Sequence, residues 1–168
     1  MTLAELNNLP KPALTEALRK CCGSSAWVEA LADTFPVPDK KTLFEQAATI
    51  WYGLSEQDWR EAFTHHPKIG DINSLKEKFA STSAWASNEQ AAVQHSSQAV
   101  LEGLAEGNTR YEEKFGYIFI VCATGKSAEE MLALLQARLP NEPAEEMKIA
   151  IGEQAKITQI RLEKLLAT

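Results

Sequence analysis

Amphipathic helical stripes with terminating residues recur along nearly the whole chain, and they constrain the fold more than any other feature. The segment KTLFEQAATIWYG, for example, places Leu43, Ile50 and Trp51 on one face and ends at Gly53. Only the segment GYIFIVCATG, residues 116–125, has the β-branched and aromatic residues between glycines that are typical of an extended segment. A single extended segment has no partner strand, so the sequence predicts an all-α fold.

About eight helices are predicted, and their boundaries follow from prolines, glycines and capping residues. The first would begin near Pro12 and end at Gly23, a left-handed C-cap. Ser55 and Asp58 predict a variant capping box for a helix that must end before His66, because Pro67 disfavours helical geometry in the residue ahead of it. Further helices are expected over residues 24–35, 41–53, 74–80, 87–107, 108–116, 127–139 and 142–166.

Length and charge limit the classes of protein to consider. With 168 residues and 45% hydrophobic composition, the chain is long enough for one domain over 1–168 with a substantial core. Its formal net charge of −6 gives no basic surface for nucleic acid or for an anionic membrane. The longest apolar run, residues 118–123, is far shorter than the roughly 20 residues that cross a bilayer. We therefore expect a soluble protein.

The cysteines indicate a reducing compartment. Cys21, Cys22 and Cys122 are odd in number and lack C-x-x-C spacing, so they predict no disulfide framework. The sequence near Met1 has no apolar core of a secretory signal, which also favours a cytoplasmic location. No partnered histidine motif accompanies the cysteines, and a thiol nucleophile is not expected.

The stretch THHPKIGD holds two of the three histidines in the chain, next to a proline that ends a helix. Histidine titrates near neutral pH, so a histidine held by Pro67 in a loop could exchange protons with a substrate. The plain alternative is an ordinary connecting loop with exposed histidines. A zinc site of His65, His66 and Asp71 is weakly indicated, because adjacent residues rarely point at one ion.

Two more polar positions have both a structural and a functional interpretation. In SNEQ, Ser87 and Gln90 can simply cap a helix, whereas Glu89 could instead meet a polar substrate at the helix start. Arg161 follows Ile157 by four residues and lies beside the apolar stripe of the last helix. Arg161 is either a solvated basic residue or a residue whose planar guanidinium binds two oxygens of an anion.

Five blocks of the sequence, in this order, resemble the 2-oxo-4-hydroxy-4-carboxy-5-ureidoimidazoline (OHCU) decarboxylase family. They are HPKIG at 66–70, EQ at 89–90, RYEEKFGYIFIVCATGKS at 110–127, RLPN at 138–141 and EQAKITQIRLEKL at 153–165. The resemblance covers nearly the whole chain and implies an all-α, homodimeric carboxy-lyase without cofactor or metal. The implied reaction is the decarboxylation of OHCU to (S)-allantoin, the last step from urate to allantoin.

The same resemblance implies which residues carry out the reaction. His66 corresponds to the catalytic histidine, Glu89 to its carboxylate partner and Arg161 to the arginine that binds the anionic substrate. Ala86 stands where the family often has a serine, so the hydroxyl contact comes from the neighbouring Ser87 or is absent. The positions expected to line the pocket are Pro67, Ser87, Gln90, Phe119, Ile120 and Val121.

Two other functions stay open at this point. The chain could be a non-catalytic helical binding module, or a metal-dependent hydrolase of a related ureido compound. A decarboxylase should bring His66, Glu89 and Arg161 to one pocket although they are far apart in the sequence. The sequence leaves open whether His66 acts first as a base or only as an acid.

Overall fold

The computed structural model describes residues 1–66 and 90–167, with side chains described from residue 98 onward in the second range. These residues contain eight helices and no strand, which confirms the predicted all-α fold for the described part of the chain. The helix predicted at 74–80 lies outside it. The helices are α1 (Leu3–Asn7), α2 (Lys11–Arg19), α3 (Ser25–Ala32), α4 (Lys40–Tyr52), α5 (Glu56–Thr64), α6 (Gln90–Phe115), α7 (Ala128–Arg138) and α8 (Pro143–Leu165).

Tertiary contacts divide the chain into two compact units. The first unit comprises Met1–His66 and Ile151–Thr168, and the second comprises Pro67–Ala150. In the first unit α3 packs against α2, α4 and α5, and in the second α6 packs against α7. The expectation of one domain over 1–168 stays a prediction.

Tryptophan side chains join the helices of the first unit. The buried indole of Trp27 donates to the carbonyl oxygen of Ala47 at 3.0 Å, which joins α3 to α4. The Trp51 indole donates to the carbonyl oxygen of Ile151 at 3.0 Å, and the Trp59 indole donates to the Trp51 carbonyl at 2.8 Å. Large apolar rings are thereby buried without unpaired N–H groups. The three bonds thus connect α3, α8 and α5 to α4.

A single continuous helix, α6, replaces the two helices predicted over 87–107 and 108–116. The predicted break at Asn108 is wrong, because the Asn108 amide donates to the Leu104 carbonyl within the helix. A Cβ atom at Gly107 would lie 2.5 Å from a methyl carbon of Leu135 in α7. The glycine therefore serves close packing between two helices and does not end one.

The predicted role of Gly23 as a left-handed C-cap is also wrong. α2 already ends at Arg19, and its C-cap Lys20 has right-handed helical geometry. In residues 1–66 and 90–167 positive φ angles occur only at Gly116 and Gly125. Gly116 directly follows α6, and thus ends that helix as predicted.

Hydroxyl caps set the starts of several helices. Ser55 and Asp58 form the predicted capping box of α5, and Ser127 caps α7 as expected. The short helix α1 was not predicted, although Thr2 and Glu5 form a complete capping box at its start. The T-x-x-E spacing was therefore a usable signal for this helix.

Candidate active site

The end of α5 fixes the position of His66. Phe63 is fully buried and meets the Trp51 ring edge-on, with ring centroids 6.5 Å apart. α5 ends at Thr64, and the backbone N–H of His66 donates to the Phe63 carbonyl at 3.3 Å. The helix thus ends ahead of His66, as predicted, and leaves this half-buried histidine just beyond the C-cap.

His65 lies against the backbone of Gly23. A Cβ atom at Gly23 would come within 2.4–2.6 Å of His65 Cγ, Cδ2 and Cβ. No side chain fits there without movement, which is the structural reason for a glycine at this position. Next to it, the Glu61 carboxylate accepts hydrogen bonds from the backbone N–H and the hydroxyl of Ser25, both at 2.8 Å. These contacts hold the segment between α2 and α3 beside the end of α5.

One face of α8 presents polar side chains next to His66. Gln154, Thr158 and Arg161 follow one another at spacings of four and three residues, so they lie on the same side of the helix. Gln154 is only 1% exposed, and its Oε1 is hydrogen bonded to Nε2 of His66. Its Nε2 donates to Thr158 Oγ1 at 3.1 Å. The histidine is thus connected to α8 through a buried amide.

Arg161 lies two helical turns beyond Gln154 and is partly exposed. Burial raises the pKa of Cys21 and of Cys22 to about 11, and the positive charge of Arg161 works against that rise at both thiols. The two thiols are therefore protonated at neutral pH.

In the second unit, buried polar groups hold the segment after α6. Arg138 donates to the Ile120 carbonyl at 2.7 Å, and its guanidinium lies 4.5 Å from the centroid of the Phe119 ring. The same side chain forms an ion pair of 2.5 Å with Glu146, which also accepts from the Tyr111 hydroxyl. This network fixes the backbone around the residues expected to contact the substrate.

The predicted site residues are described to different extents. His66 and Arg161 both lie in the first unit, where His66 contacts α8 and Arg161 belongs to it. Phe119, Ile120 and Val121 belong to the second unit and form an irregular segment, as predicted for a chain without a sheet. Gln90 is the first residue of α6. Pro67, Ser87, Glu89 and Asp71 lie outside the described residues.

Sequence reasoning missed Gln154, Thr158 and the group formed by Arg138 and Glu146. The block EQAKITQIR contains Gln154 and Thr158 four residues apart. Such a pair could have indicated a polar stripe on α8. The Arg138 group gave no comparable signal, because its members become neighbours only through the packing of α6, α7 and α8.

Neither a metal-ligand cluster nor a membrane-spanning helix occurs in the described residues. Residues 1–66 and 90–167 contain no group of three His, Cys, Asp or Glu side chains placed to hold a metal ion. Over the same residues, no helix combines the length and the apolar character needed to cross a bilayer.

Comparisons with known proteins all lead to one family. The family model for OHCU decarboxylase matches residues 7–163. The chain is 39% identical over 150 residues to the uric acid degradation bifunctional protein TTL of Arabidopsis thaliana, covering 88% of this chain and 45% of that protein. It is 22% identical over 163 residues to an OHCU decarboxylase of Haloferax volcanii, covering 96% of this chain and 94% of that one.

Solved structures give the same result. A crystal structure of OHCU decarboxylase in the presence of (S)-allantoin has a TM-score of 0.71 and 38% identity, and the match covers 89% of this chain and 96% of that chain. A structure of (S)-allantoin synthase, with a TM-score of 0.74 and 21% identity over the whole of this chain and 55% of that one, supports the fold. The chain spans less than half the length of the Arabidopsis relative. On the match over residues 7–163, the chain belongs to the OHCU decarboxylase family.

Proposed function

We propose that the protein decarboxylates OHCU to (S)-allantoin without a cofactor, as the last step from urate to allantoin. The observation that carries the proposal is the arrangement on α8, where His66 contacts Gln154 and Arg161 follows two turns later on the same face. His66 thus contacts the helix face that also carries Arg161, although the two residues are far apart in the sequence. A non-catalytic binding module has no need of this pairing.

The chemistry of the substrate explains why no electron-accepting cofactor is needed. In OHCU the ring imine carbon is next to the carbon that bears the carboxylate and the hydroxyl. When the bond to the carboxylate breaks, CO₂ leaves and the electron pair moves onto the imine nitrogen, which takes up a proton. The hydroxyl then loses its proton as the ring carbonyl forms, and the former imine carbon gains one. The substrate itself thus acts as the electron acceptor.

Each residue has a defined task in this scheme. Arg161 binds and orients the anionic substrate through its planar guanidinium. In the described part of the chain no carboxylate is paired with that guanidinium. His66 exchanges protons with the substrate. Glu89 accepts hydrogen bonds from the substrate hydroxyl or ureido N–H groups. Pro67, Ser87, Gln90 and the 119–121 backbone line the pocket.

The arginine must act at short range. The formal net charge of −6 gives the protein no long-range attraction for an anion. Salt further screens surface charges beyond about 8–10 Å. Binding of an anion therefore depends on a close and partly desolvated contact, as the partly buried Arg161 would provide.

The decisive experiment generates OHCU from urate in situ and follows the chirality of the allantoin formed by circular dichroism. The protein should accelerate the appearance of (S)-allantoin over the spontaneous reaction, which gives no lasting preference for one enantiomer. Activity should survive a chelator, whereas loss with the chelator would favour the metal-dependent hydrolase. Racemic allantoin at the spontaneous rate would remove the proposed activity.

Assembly and location are part of the same proposal. We expect a cytoplasmic homodimer, from the family resemblance and from the cysteine pattern. Sedimentation at micromolar concentration tests the dimer directly. A monomer under those conditions would remove that expectation and leave the chemistry unaffected.

A further inference from the structure

His66 is hydrogen bonded to an atom that can accept but not donate a hydrogen bond. Its Nε2 atom is hydrogen bonded to Oε1 of Gln154, and an amide oxygen can only accept a hydrogen bond. The proton of that bond must therefore lie on the histidine nitrogen. Gln154 is 1% exposed, so water does not readily compete for its oxygen. As long as the amide keeps this orientation, neutral His66 carries its proton on Nε2.

Thr158 determines that orientation. The Gln154 amide donates from Nε2 to Thr158 Oγ1 at 3.1 Å, and Thr158 is 6% exposed. Burial raises the pKa of the Cys22 thiol, and a hydrogen bond from the Thr158 side chain works against that rise, so the Thr158 hydroxyl proton is directed to the sulfur. With that proton engaged, Oγ1 acts as an acceptor and requires the amide nitrogen to face it. Turning the amide round would place an NH₂ group against His66.

We propose that Gln154, oriented by Thr158, is a positioning residue that holds neutral His66 in the Nε2–H tautomer. In that tautomer Nδ1 is the unprotonated nitrogen, the atom at which neutral His66 can take up a proton. This inference rests on the proposed function for the identity of the substrate, and it deepens that function by assigning the protonation of each ring nitrogen in neutral His66.

The tautomer can be measured without substrate by NMR on protein labelled with ¹⁵N in its three histidines. At a pH where His66 is neutral, its Nε2 should show the signature of a protonated nitrogen and Nδ1 that of an unprotonated one. Thr158→Val, which keeps the shape but removes the hydroxyl, frees the amide to turn. We expect it to lose the single tautomer, whereas Thr158→Ser should keep it.

Gln154→Leu removes the hydrogen bond to His66 in a second, independent way, because leucine has no acceptor oxygen. The matched control is Gln159→Leu on the exposed side of the same helix, where the glutamine donates to Glu163 at 3.3 Å. That control should leave the His66 signals unchanged. If Gln154→Leu fails to fold, the comparison of Thr158→Val with Thr158→Ser still decides the matter.

Steady-state kinetics provides a second measurement, which would not change if Gln154 and Thr158 had a purely structural role. A wrong tautomer impairs proton transfer more than substrate binding, so Thr158→Val should lower kcat by about 10-fold or more at nearly constant KM. Thr158→Ser should restore kcat. The proposal is overturned if wild-type His66 is protonated on Nδ1, or if Thr158→Val and Gln154→Leu keep the wild-type tautomer. A protein with the expected tautomer but no activity on OHCU would instead overturn the proposed function.

Discussion

The Arg138 guanidinium forms an ion pair with the Glu146 carboxylate inside the second unit, with the closest nitrogen and oxygen 2.5 Å apart. Side-chain exposure is 7% for Arg138 and 0% for Glu146, so neither charge is solvated by bulk water. Arg138 also donates to the Ile120 carbonyl. The pair therefore connects α7 and the start of α8 with the backbone that we expect to line the pocket.

Breaking this pair from one side should strongly destabilise the protein. Glu146→Leu leaves the Arg138 charge buried and uncompensated, which typically costs about 3–5 kcal/mol. Arg138→Leu should cost a similar amount, because it leaves the Glu146 carboxylate buried and without its ion-pair partner. The double variant should lose less than the two single losses combined, and urea unfolding of all four proteins measures this coupling. Strictly additive losses would show that the two charges are not coupled.

Alanine substitutions at two glycines inside long helices should change the free energy of unfolding in opposite directions. At Gly107 a Cβ atom would lie 2.5 Å from a Leu135 methyl carbon, so Gly107→Ala should destabilise by about 1–3 kcal/mol through overpacking. At Gly152 no described atom lies within 4 Å of the same position. Gly152→Ala should therefore stabilise by about 0.5–1 kcal/mol through helix propensity. Thermal unfolding of both variants tests the pair, and equal shifts would contradict the packing argument.

These glycines also show how far sequence reasoning can go. Caps and apolar stripes are local, so the start of α5 at Ser55 and the end of α6 at Gly116 could be predicted. The need for a glycine at Gly107 arises from Leu135 in another helix, and no local pattern contains that information. His66 was recognisable from its motif. Gln154 was not, because a polar residue in an amphipathic helix has the same pattern whether it faces water or the imidazole of another segment.

Removing the imidazole of His66 should abolish most of the decarboxylase activity without unfolding the protein. His66 is half-buried beyond the end of α5, so His66→Ala removes little apolar packing. Loss of one proton-transfer group typically lowers the rate by about 10²- to 10⁴-fold. The matched control is His65→Ala, since His65 is exposed and should affect turnover far less. Near-normal turnover by folded His66→Ala would rule out the catalytic assignment.

The two thiols near α8 should make stability depend on pH in alkaline solution. Burial raises the pKa of Cys21 and of Cys22 from 9.0 to about 11, so the folded state favours the neutral thiols. This contribution is complete below pH 9.0 and is lost as the pH rises to about 11, because the unfolded chain ionises first.

Urea unfolding below pH 9.0 and near pH 11 tests this dependence. The Tyr111 phenol contributes with the same sign from about pH 10.0 upward, since burial also raises its pKa. The double variant Cys21→Ala, Cys22→Ala should therefore show a smaller but still measurable loss of stability over this interval. A loss as large as that of the wild type would mean that the thiols do not contribute.

Substitutions of Arg161 should separate the effect of its positive charge from the effect of its planar shape on turnover. Lysine keeps the positive charge but lacks the planar fork that grips two oxygens, so Arg161→Lys should be substantially impaired and Arg161→Ala more so. A mainly binding role raises KM more than it lowers kcat, whereas orientation of the departing carboxylate lowers kcat as well. Arg110→Ala is the matched control, because that arginine forms an exposed surface pair with Glu106. Steady-state kinetics on variants with intact helices by circular dichroism decides between the two roles. Wild-type kinetics in folded Arg161→Ala would reduce Arg161 to a solvated residue on the flank of α8.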